Sequence, residues 1–198
     1  MKALQYPLSL QFKITTLSND FSVTDAEGRN VAYVRQKMLK LREHVDVYED
    51  TSKANQIYTI KANQWLDFSA SYAFLDKLGT NVGRIARQGW SSLWRARYLI
   101  FDADNQQDFI IHEENGWVKV LDSLLGEIPI LNFLTGYFFN PSYIIERPDR
   151  TPVARLKKQP SFWGRKFSLE KSGSFNDTEE ERIILGSMMM LLLERRRG

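Results

Sequence analysis

The residues of this chain best placed to do chemistry are cations that follow a turn. Arg35, Lys37 and Lys40, then Arg84 and Arg87, then Arg155, Lys157 and Lys158 each trail an acidic or proline-containing bend on what reads as a returning strand. Gathered on one outer face, they could hold phosphate oxygens, with guanidinium groups binding two oxygens at once and lysines acting as point charges. An anionic membrane surface is the natural extended ligand for such a face. The plainer account is that outward strand positions are solvated and charged anyway, and that lysine on an edge deters aggregation.

A second group is Asp102, Asp104, Asp108 and Glu113, whose spacing resembles the oxygen ligands of a calcium loop. Gln107 stands where that loop needs glycine, and the flanks read as strands rather than helices. The same residues serve equally as a hairpin turn, which is the preferred reading. His44 and His112 sit in strand-like runs with no nucleophile or ligand partner at a recognisable spacing. The sequence holds no phosphate-binding glycine loop, no dinucleotide fingerprint and no cysteine, so thiolate catalysis and Cys-ligated metals are excluded. Neither an enzymatic activity nor a cofactor is expected.

The elements that must carry these residues show an internal echo. Phe21 to Arg35 reads as a strand, an Asp25-x-x-Gly28 turn and a return through Val31-Ala32-Tyr33-Val34. Tyr72 to Arg87 repeats it, with Asp76-x-x-Gly79 and a return through Val82-Gly83-Arg84-Ile85. Tyr143 to Leu156 is a third copy in which prolines stand in for the glycine turn, and Tyr98 to Ile111 is a weaker fourth. Apolar and aromatic residues alternate along each arm, as a half-buried pleated surface requires. Many short antiparallel strands point to a sandwich or a barrel. Residues 117–125 fit either a short helix or a strand, and residues 128–139 form an apolar loop. Trp90 and Trp94, near Arg84, Arg87, Arg95 and Arg97, would suit a membrane or protein interface if exposed; burial at a barrel end is the better expectation.

The end of the chain reads as one helix over about residues 177–195. Asn176 and Asp177 are candidate caps, and Thr178-x-x-Glu181 has capping-box spacing. Glutamates begin the helix and arginines end it, matching the helix dipole. Between them Ile183 to Leu193 is apolar on every face, so it must be buried all round. Eleven residues rise only about 16 Å, against a bilayer core of about 30 Å. The interior of a small barrel fits that length, and the methionines at 188–190 would fill irregular gaps between strands. The expected fold is therefore all-β with one central helix: a closed antiparallel barrel over about residues 8–172, in a single domain spanning 1–198.

The mild net charge of +3 permits anionic partners without demanding them, and no nucleic-acid motif accompanies it. The sequence shows no signal peptide and no spanning segment, so the expected location is cytoplasmic, with peripheral attachment to a membrane compatible with the basic strands.

Repeated Asp-x-x-Gly hairpins with a Val-small-x-aliphatic return, closed by a charge-capped apolar helix, resemble the Tubby C-terminal-like fold. The nearest group is the LURP-one-related proteins and their prokaryotic relatives, with phospholipid scramblases more distant, and the likeness covers about residues 8–197. The resemblance implies a closed barrel around a central helix, no enzymatic activity, and binding of anionic head groups of the kind Tubby domains recognise. The palmitoylated cysteine cluster of scramblases is missing here, and no residue matches the Tubby phosphoinositide pocket. A binding domain for anionic phospholipid or phosphoinositide is thus the leading expectation, with a protein-interaction scaffold as the alternative. A lipid carrier comes third, because the helix would fill the cavity a carrier needs.

Overall fold

The computed structural model describes residues 3–15, 18–36, 44–63, 71–88, 97–114, 142–160 and 165–195. Twelve strands run β1 (Leu8–Thr15), β2 (Ser18–Thr24), β3 (Asn30–Gln36), β4 (His44–Tyr48), β5 (Gln56–Asn63) and β6 (Ser71–Asp76) in the first half. The second half holds β7 (Asn81–Gln88), β8 (Arg97–Phe101), β9 (Gln107–Glu113), β10 (Ser142–Glu146), β11 (Pro152–Gln159) and β12 (Lys166–Lys171). Each strand pairs antiparallel with its neighbours in sequence, and β1 pairs with β12 to close the barrel. Closure places Leu8 opposite Leu169 and Leu10 opposite Phe167, four apolar residues that all face the core. The helix, α1 (Asp177–Arg195), is threaded through the middle.

The size of the barrel follows from the size of its contents. Twelve strands at the usual spacing and tilt enclose a backbone radius on the order of 12 Å. One helix on the axis then leaves about 10 Å between backbones, the ordinary separation of packed layers. Residues 182–192 are buried without interruption, so the helix meets wall on every side.

Five hairpins at one end share a single turn geometry, one more than the sequence pattern suggested. Their fourth residue takes a left-handed φ in Gly28 (79°), Lys53 (58°), Gly79 (80°), Asn105 (62°) and Arg150 (70°). Each has a register shift beside its turn, for example between Val23 and Thr24 or Phe74 and Leu75. Asp25, Asp76 and Asp102 hold their turns by accepting two backbone N–H groups each on Oδ1. In the third copy it is Arg150, not a proline, that occupies the glycine position, and Arg147 that aligns with the turn-opening Asp.

The helix cap also differs from the expected box. Asn176 Oδ1 accepts the Glu179 N–H at 2.9 Å, and Glu179 Oε2 accepts the Asn176 N–H at 2.9 Å. The reciprocal pair is therefore Asn176 with Glu179, two residues earlier than Thr178 with Glu181. Arg147 reaches from its hairpin to both Glu179 oxygens, at 2.8 and 3.2 Å, and Tyr6 donates to Glu180 at 3.0 Å. The start of the helix is thus tied to the hairpin end of the barrel.

Candidate functional site

Strand pairing decides which way each basic residue points, because residues directly opposite in an antiparallel ladder share a face. Arg84 stands opposite Phe101, and Arg87 opposite Tyr98. Tyr98 is buried and its hydroxyl donates to Glu194 of α1 at 2.5 Å, so its face is the interior. Arg87 therefore faces inward and Arg84 outward: a spacing of three along a strand separates the pair instead of joining it. On β11, Lys158 lies opposite the core residue Phe167 and also faces inward, while Arg155 and Lys157 alternate out.

The outward group is already engaged. Arg155 pairs with Glu114 and Lys157 with Glu170, both at 2.8 Å. Arg84 donates to Asn105 Oδ1 at 3.0 Å and lies 3.7 Å over the Phe101 ring, where burial lowers its pKa. With β7 and β11 four strands apart in the barrel, these cations do not form one outer patch. The Arg35 side chain, Lys37, Lys40, Trp90, Trp94 and segments 117–125 and 128–139 lie outside the described residues.

The inward group occupies the end of the barrel where α1 finishes. Lys158 and Arg165 line a cavity of about 190 Å³ with Phe12, Tyr143, Leu191 and Glu194. Burial pushes the Tyr143 hydroxyl pKa up, with the Glu194 charge adding to it and then that of Glu113, so the phenol stays protonated and can donate. Glu113 stands opposite Tyr143 in the ladder and shares its face. Arg87 faces the same interior, and its Nε is buried with no hydrogen-bond partner among the described residues. Lys158 and Arg165 thus share this cavity with Glu194, which accepts from Tyr98, while Arg87 and Glu113 face the interior from β7 and β9. Arg165 and Glu194 were not among the residues expected from sequence. The inward turn of Lys158 was legible in principle, two residues past Leu156 on an alternating strand.

The opposite mouth carries charges of both signs. Glu180 and Glu181 stand at the helix start, where Glu181 lines a cavity with Asp25 and acts with Asp76 on the Tyr58 hydroxyl. Two buried or half-buried ion pairs brace it: Arg147 with Glu179, and Arg182 Nε with Asp108 Oδ2 at 2.6 Å. Burial raises the Asp108 carboxyl pKa, and Arg182 opposes that rise.

The four calcium candidates are not all brought together by these placements. Asp102 is consumed by its turn and Asp108 by Arg182, while Glu113 lies at the far end of β9. Among the described residues no group of three or more His, Asp or Glu side chains is arranged to hold a metal ion. His112 is partnered by Glu146 at 3.2 Å, with no nucleophile in that contact. No helix among the described residues is long and apolar enough to cross a membrane.

Comparison with known proteins agrees with this architecture. No curated protein and no solved structure matches the chain. The family model for LURP-one-related proteins matches residues 30–176, from β3 through β12 to the residue that caps the helix. With that match over most of its length, in a closed barrel around a single apolar helix, the chain belongs to the LURP-one-related family of the Tubby C-terminal-like superfamily.

Proposed function

We propose that this domain is a non-enzymatic binding module that captures the head-group phosphate of anionic phospholipid at the barrel end where the helix finishes. The observation that carries the reading is Arg87, an inward-facing guanidinium whose Nε is buried without a hydrogen-bond partner among the described residues. A buried donor left unmatched costs roughly 1–3 kcal/mol, which a phosphate oxygen would recover. Lys158 and Arg165 add positive charge at the same mouth, and the family assignment supports a Tubby-like binding role. The anionic cytoplasmic leaflet is the surface such a mouth would meet, peripherally and through charge.

Co-sedimentation with neutral and anionic vesicles, at low and physiological salt, tests this. Each basic residue near an anionic surface contributes about 1 kcal/mol, so replacing Arg87, Lys158 and Arg165 together by Gln should weaken anionic-vesicle binding about a hundredfold. Replacing the engaged trio Arg84, Arg155 and Lys157 by Gln should change it far less. Equal losses in both triples, or no salt-sensitive binding by the unmodified protein, would sink the proposal.

A further inference from the structure

Among the described residues the barrel wall is most sparsely paired between β3 and β4. Among the described residues these strands pair only through Tyr33 opposite Tyr48, whereas β2 and β3 pair along six residues. Beside this weak seam lies a cavity of about 440 Å³, within the range of small-molecule sites. Its floor is apolar: Leu4, Val31, Ala32, Ile57, Ile184 and Leu185. Ala32 faces the core with a single methyl group, so it leaves the surface of α1 within reach.

The polar rim is not neutral. Asp25 and Arg29 cancel each other through a two-point ion pair. Glu49 accepts from the Asn55 side-chain amide, at 2.8 Å, and Glu181 accepts from the Tyr58 hydroxyl. Neither carboxylate has a cationic partner among the described residues, though both line the cavity. An apolar floor under two carboxylates without a cationic partner among the described residues is complementary to an alkyl chain with a positive head and hostile to one with a negative head.

We infer that this cavity is a binding site for a cationic amphiphile, an aliphatic chain ending in an ammonium group, separate from the basic mouth at the other end. The chain lies on Ile184 and Leu185 of the helix, and the ammonium sits between Glu49 and Glu181.

Titration calorimetry and methyl NMR with octylammonium, octanol and octanoate, all at neutral pH, test the site with one tail and three heads. Octylammonium should bind about tenfold more tightly than octanol, since two charge pairs, one exposed at Glu49 and one half-exposed at Glu181, contribute up to about fivefold each. Octanoate should bind more weakly than either, and the shifted methyls should be those of Ile57, Ile184 and Leu185. Glu49→Gln, on the rim, should weaken octylammonium several-fold and leave octanol unchanged; Glu181→Gln should do the same. Ala32→Phe, which fills the floor, should remove binding of both. Octanol or octanoate matching octylammonium would overturn the inference. So would amine binding indifferent to Glu49→Gln, or no binding to the folded protein.

Discussion

Gly83 offers the most direct test of how the helix is seated. It faces inward on β7 with φ at 143°, a conformation side chains rarely adopt. A Cβ there would stand 2.5 Å from the Phe101 carbonyl oxygen and 2.6 Å from Arg182 Cδ. One neighbour is backbone and the other belongs to a buried ion pair, so neither can yield cheaply. Gly79 is the natural control: its φ is also positive, at 80°, but a methyl group there would meet nothing within 4 Å. Gly79→Ala should then cost only the conformational term, about 1–2 kcal/mol. Gly83→Ala adds overpacking of about 1–3 kcal/mol and strains the Arg182–Asp108 pair, for a total of about 3–5 kcal/mol. With a urea slope of about 2 kcal/mol/M, the unfolding midpoint should fall by about 2 M for Gly83→Ala and by less than about 1 M for Gly79→Ala. A double-mutant cycle with Arg182→Ala should be non-additive by more than about 1 kcal/mol, because the two sites share one space. Equal midpoints for the two alanine variants, or strict additivity in the cycle, would refute this seating.

Two further perturbations probe the helix. The hydrogen bond from Arg147 outweighs burial and holds the Glu179 carboxyl below its usual 4.5, so its contribution is full above that pH and is lost as pH falls through the depressed folded value. Arg147→Met should therefore cost about 2 kcal/mol at pH 7, and the gap from the unmodified protein should close in urea titrations at progressively lower pH; a gap constant with pH would exclude the linkage. Leu191→Asp puts a carboxyl at a position only 3% exposed, with a cost on the order of 5 kcal/mol, comparable to the stability of a whole domain. Its unfolding transition by circular dichroism should be lost, and a soluble, cooperative variant would contradict burial of the helix.

The architecture was legible because it rests on local chemistry. Asp25 and Gly28, or Asp76 and Gly79, make a turn wherever they occur at that spacing, and an eleven-residue stretch apolar on all faces leaves few places to put it. The runs that form β4 and β5 read as strands, but their turn carries no glycine signal, because Lys53 takes the left-handed position that glycine holds elsewhere. The expected capping box chose Thr178 over Asn176; both have suitable partners three residues on, and the choice depends on where Arg147 pins Glu179. Basic residues were harder still. Arg84 and Arg87 look like one cluster in sequence, but a strand turns residues three apart to opposite faces, and Tyr98 shows which face is inside. The pairing of Asp108 with Arg182 spans 74 residues and joins a strand to the helix, so no local pattern could announce it.

Two glycines set how closely the helix and the wall approach. A Cβ on Gly186 would stand 2.5 Å from Ile100 Cδ1 on β8, as one on Gly83 would collide with Arg182 from β7. Both mark one side of the barrel as the place where helix and wall come closest, each glycine sparing the width of a methyl group. The β3–β4 seam lies four strands round the barrel from β7 and β8. There the small Ala32 and the loosely paired β3–β4 seam leave the space above Ile184 and Leu185 unfilled. Close packing would normally remove such a void, since every missing contact costs dispersion energy. Here three separate residues (Ala32, Gly83 and Gly186) each surrender side-chain volume, two where helix and wall touch and one beside the cavity. The same helix ends beside Lys158 and Arg165 at the basic mouth, so one rigid element connects both candidate sites through the core.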